Sequence, residues 1–245
     1  MKPASIALAV RPRPLFEAVD LGTRMAQAEW RSVASAYGPA AAVVAMLAMA
    51  SLTWNSWMPL LVVFMGKPWL DRALLQVYSR AAFGQTTSLT DPWVPGVLLG
   101  WRPVLLSLTT RRFSLWRAYT HAVEQLEGQR GAAASKRRRL LLAGRRFSMF
   151  SLQGLFSQLE GLFVLGGLAL VAWAAPGLEM DKWMSGLMKG GDESALDTWS
   201  SVLYVGAALL IEPFYVASCF SCYLHRRVEL EAWDLEQALR DAFLR

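Results

Sequence analysis

Cysteine and histidine are nearly missing: the 245 residues include two of each. Cys219 and Cys222 share one apolar block with no second ligand pair beside them. A disulfide framework is thereby excluded, and this lone C-x-x-C lacks the partners of a zinc site. There is no histidine pair, only His121 and His225, and no HExxH, Walker loop or GxSxG. The expectation is a non-enzyme with no catalytic residues, no metal and no cofactor. Charge is also sparse, at 18 % of residues against about 25 % in soluble domains.

What the chain has instead is apolar sequence. Hydrophobic residues make up 54 %, eleven of them are tryptophan, and mean hydropathy is positive. They gather into blocks with the charges between, which is how a membrane protein segregates. A net charge of +6 is compatible with nucleic acid by total alone. However, the bases flank apolar blocks, so the expected partners are anionic lipid headgroups and not nucleic acid. No secretory leader is expected, because the apolar run at residues 6–10 is shorter than the ~7–15 residues an h-region needs.

The pattern predicts an all-α, polytopic helical membrane protein with about four transmembrane helices, a re-entrant or interfacial segment and amphipathic cytoplasmic helices. It reads as a single membrane domain over 1–245. Residues 1–30 form a cytoplasmic N-terminal segment, in which Leu15, Val19 and Leu21 give either an interfacial helix face or part of a flexible tail. A helical hairpin with a cytoplasmic extension covers 31–85, turning at Asn55 to Pro59 between Trp54 and Trp57. A single span with an unusual centre is the alternative. Residues 86–146 hold the re-entrant or interfacial stretch and a basic cytoplasmic region. Here Pro95, Arg102 and Pro103 make 94–110 a poor independent span, and Gly96 and Gly100 form a GxxxG pair. A two-helix transmembrane hairpin covers 147–224, and a cytoplasmic amphipathic helix covers 225–245.

Orientation follows the lysine and arginine bias of short loops. Only Lys182 and Lys189 fall in the acidic loop 176–197, and the Asn55 turn carries no base. Lys67, Arg72 and Arg80 are therefore assigned to the basic, cytoplasmic face, with both termini inside a bacterial inner membrane.

Glu160 and Glu212 lie near the centres of their spans, where ionisable groups are costly and mark pairing or function. Helical projection puts Ser201, Tyr204, Glu212, Tyr215, Cys219, Cys222 and Arg226 on one face. On the preceding span it separates Ser151, Gln153, Gly154, Ser157, Gln158, Glu160 and Gly161 from Leu152, Leu155, Phe156, Leu159 and Phe163. The first set is expected to face protein or water and the second lipid. With Arg102 as the base inside an apolar block, the expected intramembrane seam is Glu160, Glu212, Arg102, Gln158, Tyr204 and Tyr215. It serves either helix packing or an ion-coupled path.

An amphipathic helix is read over 113–127, with Trp116, Tyr119, Val123 and Leu126 as core and His121 solvated. Lys136, Arg137, Arg138, Arg139, Arg145 and Arg146 are read as headgroup-binding. In the C-terminal helix Arg226, Arg227, Glu231, Trp233, Asp234 and Glu236 are read as partner-binding, with Arg227/Glu231 an i,i+4 pair.

Residues 211–217 (IEPFYVA), 223–227 (YLHRR) and 230–236 (LEAWDLE) resemble a family of uncharacterised bacterial integral inner-membrane proteins. So do 17–22 (EAVDLG), 67–72 (KPWLDR) and 113–116 (FSLW) with 125–128 (QLEG). The family pattern has asparagine where this chain has His225. The resemblance implies genes lying near a MoxR-type AAA ATPase, von Willebrand factor A-like proteins and transglutaminase-like membrane proteins. A looser similarity is to the membrane domain attached to some glycerophosphodiester phosphodiesterases. The expected function is a membrane scaffold or assembly subunit whose cytoplasmic helices engage protein partners. A small transporter or channel-like protein using the Glu160/Glu212 seam is the alternative.

Overall fold

A computed structural model describes residues 14–85, 87, 116–174 and 193–231, and every element among them is helical. Seven helices follow in order: α1 (Leu15–Ala28), α2 (Trp30–Ser51), α3 (Met58–Ala81), α4 (Arg117–Gln125), α5 (Gly131–Leu142), α6 (Arg146–Ala174) and α7 (Glu193–Glu231). Three are long and apolar enough to cross a membrane: α2, α6 and the part of α7 from Asp197 to Glu231. The chain is thus a helical membrane protein. α3 has 24 residues, but Lys67, Asp71, Arg72 and Arg80 keep it out of that class.

Residues 37–65 form a hairpin, because α2 stops at Ser51 and α3 starts at Met58. The amides of Trp54 and Met58 bond the carbonyls of Ser51 and Asn55 across the turn, both at 3.1 Å. Pro59 sits in the first turn of α3, where its missing N–H has no helical acceptor to lose. Gly144 (φ 72°) makes the left-handed step between α5 and α6 that a side chain would strain.

The chain divides into two compact units, the first made of 1–39, 68–153 and 213–245 and the second of 40–67 and 154–212. In the first unit α7 is enclosed on all sides, since residues 215–223 are all buried. α1 packs on it through Ala18, Gly22 and Ala26. The approach is so close that a Cβ on Gly22 would lie 2.5 Å from the Ser218 Cα. Leu70, Leu74, Val77 and Tyr78 of α3 fill the same core, and the Tyr78 hydroxyl donates to the Pro213 carbonyl at 2.9 Å.

In the second unit Gly66 of α3 meets Val44 of α2, with the Gly66 Cβ position 2.9 Å from the valine methyl. Gly167 of α6 lies against Leu203 of α7 in the same way. At the hairpin turn the Ser201 hydroxyl donates to the Ser56 carbonyl at 2.5 Å. Trp54 and Trp57 are exposed there.

α1 buries Ala18, Gly22 and Ala26, because a close helix crossing selects the smallest side chains, and leaves Leu15, Val19 and Leu21 half-buried. Three expectations change. The boundary expected at 224/225 is no helix end, as α7 runs through it; no proline or glycine stands there to stop it. His121 is half-buried, not solvated, because α4 buries a broader arc than its apolar stripe. The amphipathic helix is confined to Arg117–Gln125, since Gly128 takes positive φ after it. The expectations for 94–110, including Arg102 and the Gly96/Gly100 pair, lie outside the described residues.

Candidate functional site

Lys67 ends the uncharged run that opens α3, and its ammonium lies between two carboxylates of the second unit. Lys67 Nζ donates to Glu160 Oε1 of α6 at 2.6 Å. It stands 3.0 Å from Glu212 Oε2 of α7. The three side chains are 12 %, 10 % and 1 % exposed. Tyr204 lies two turns before Glu212 on α7. One cation thus joins three helices at a point removed from solvent, where the local dielectric strengthens each attraction and makes losing either partner expensive.

Of the expected seam the structure brings together Glu160 and Glu212, and supplies Lys67 as their base. Sequence reasoning assigned Lys67 to the cytoplasmic face and looked for the base only inside apolar blocks. The usable signal was that no charged residue stands between Arg31 and Lys67, so the lysine stem begins at depth. Tyr215 belongs to the first unit, where its hydroxyl bonds the Gln153 side chain.

Gln158 is not in the seam; it is exposed. The expected halves of α6 hold in part: Leu155 and Phe163 are exposed and Glu160 is buried, whereas Leu152 and Phe156 of the expected lipid-facing set are buried. Leu152, Phe156 and Glu160, at four-residue intervals, form the buried stripe, while Gly154, Ser157, Gln158 and Gly161 are exposed. Apolar side chains make the denser contact with neighbouring helices, and the glutamate follows the stripe they set.

A second centre, in the first unit, uses the basic run. Arg137 bonds Glu127 at 2.8 Å and also pairs with Glu231. Arg227 bonds Glu231 at 2.8 Å and stands 3.8 Å from Glu127. The Tyr223 hydroxyl donates to Glu127 at 2.7 Å. Arg138 pairs with Glu124 at 2.6 Å, and Glu229 takes Arg145 at 2.5 Å and Arg226 at 2.9 Å. The bond to Glu127, helped by Glu231 and opposed by partial burial, holds the Arg137 guanidinium above its ordinary range.

These pairs revise two sets of expectations. Arg137, Arg138 and Arg145 face glutamates of their own chain, whereas Lys136, Arg139 and Arg146 are exposed. Arg226, Arg227 and Glu231 are likewise engaged in ion pairs within the chain. Trp233, Asp234 and Glu236 lie outside the described residues. A separate pair, Arg117 to Asp71 at 2.8 Å, ties α4 to α3.

Cys219 and Cys222 are free and buried. No group of three or more possible metal ligands occurs among the described residues. Comparison of the chain with family models, with curated proteins and with solved structures finds no match.

Proposed function

We propose that the chain is a non-enzymatic membrane scaffold or assembly subunit of an envelope-associated complex. The observation that carries this reading is the Lys67–Glu160–Glu212 centre, which pins three helices of the apolar unit at one buried point. A framework on which others assemble needs such fixed relative positions.

The proposed setting is a bacterial inner membrane crossed four times, with α3 as the fourth span and both termini cytoplasmic. Supporting it are an uncharged hairpin turn flanked by exposed tryptophans and the exposed bases at the start of α6. A MoxR-type ATPase system is the partner class implied by the resemblance of residues 211–217, 223–227 and 230–236 to inner-membrane proteins encoded near such ATPases. Its test is pairwise co-purification of the full chain with that ATPase.

A transporter is the second reading, and one observation favours it. A single lysine pairs at once with two buried carboxylates, and ionisable groups within membrane helices mark ion and proton paths. The deciding experiment places a cysteine at position 212, with Cys219 and Cys222 replaced, and treats native membranes with a small aqueous thiol reagent. Reagents reaching cysteines at Asn55 and Asp192 but not 212 support the scaffold. Reaction at 212 supports transport.

A further inference from the structure

The basic run of α5 divides by helix geometry into two faces with different partners. At about 100° per residue, Ala134, Arg137, Arg138 and Leu141 share one side of α5. Ala134 and Leu141 are fully buried there, and both arginines are held by glutamates. Lys136, Arg139, Leu140 and Ala143 share the opposite side, and all four are exposed. Neither Lys136 nor Arg139 has an ion pair among the described residues.

That outer face continues into the membrane-crossing helix. Four residues past Leu142, α6 begins with exposed Arg146 and Phe147, the latter 79 % exposed, and α6 is apolar enough to cross a bilayer from there. Trp116 donates its indole N–H to the Arg146 carbonyl at 2.9 Å. An indole with its polar edge so engaged fits the level of the headgroups. Cationic tips on aliphatic stems beside leucine and phenylalanine match a surface that is anionic outside and apolar beneath.

We propose that the outer face of α5 with the start of α6 is a docking surface for anionic phospholipid headgroups of the surrounding bilayer. Lys136, Arg139 and Arg146 take the phosphates, while Leu140 and Phe147 enter the acyl boundary. Arg137 and Arg138, although in the same run, take no part.

The test is retention of phosphatidylglycerol by the full chain extracted from mixed phosphatidylglycerol–phosphatidylcholine bilayers. Each headgroup base contributes about fivefold, so K136Q/R139Q/R146Q is expected to lower selective retention by on the order of 100-fold. Its melting in zwitterionic detergent should stay unchanged. K136R with R139K and R146K keeps the charge and is expected to restore retention. R137Q/R138Q is expected to lower melting and leave selectivity intact. Free glycerol phosphate in excess should not displace the lipid, and L140S/F147S should weaken retention with every charge in place. Unchanged selectivity in the outer triple variant would overturn the proposal. So would selectivity lost only with the inner pair, or full displacement by glycerol phosphate.

Discussion

The two units handle charge in opposite ways. In the second, apolar unit the described ion pairing converges on one lysine, which serves two carboxylates from two helices. In the first unit the charges are many and share partners: Glu127 is reached by Arg137, Arg227 and Tyr223, and Glu231 by Arg137 and Arg227. A centre with one hub fails as a whole, whereas a mesh degrades by steps. Surroundings explain the choice, since isolated charges in an apolar unit are tolerable only when closely paired.

The largest expected effect tests the hub. Lys67→Met leaves two buried carboxylates facing each other and is expected to destabilise by about 3–5 kcal/mol, read by denaturant unfolding in detergent. Adding Glu160→Gln and Glu212→Gln should restore most of that loss, since a neutral trio has no uncompensated charge. If Lys67→Met alone is silent, the contrast between hub and mesh collapses.

Next comes the close crossing in the first unit. Gly22→Leu forces α1 off α7, because the Cβ would meet backbone and not a movable side chain, and about 1–3 kcal/mol of stability should be lost. The mesh is expected to yield less. Arg137→Gln leaves Glu127 to Tyr223 and Arg227, and Glu231 to Arg227, so a loss of about 1 kcal/mol is expected in the same unfolding measurement. Smallest of all, Gly161→Ala on the exposed side of α6 meets nothing within 4 Å. It should stabilise by about 0.5 kcal/mol, because alanine loses less backbone freedom than glycine on entering a helix.

Much of this was legible in the chain itself. Block-wise hydropathy located α2, α6 and α7, and the Trp54–Pro59 punctuation marked the hairpin, because both are local properties. Glu160 and Glu212 stood out because charge is rare in apolar helices. Gln158 was misread for a physical reason: projection says which residues share a face but not which face meets protein. Here Leu152 and Phe156 decided that. Lys67 was missed because a base at the edge of an apolar run looks like a flank until its partners are known. The α5 run looked uniform in sequence because its division depends on glutamates from α4, α7 and the α4–α5 connection.

The two thiols have a consequence of another kind. Cys219 and Cys222 lie in the stretch of α7 that is enclosed on every side, at 2 % and 6 % exposure. Oxidants, alkylating agents and soft metal ions act on an accessible thiolate, and neither sulfur offers one. The folded chain should therefore carry no redox response through its own thiols, and a maleimide should mark it only after unfolding, which makes the native protein a reporter of its own integrity.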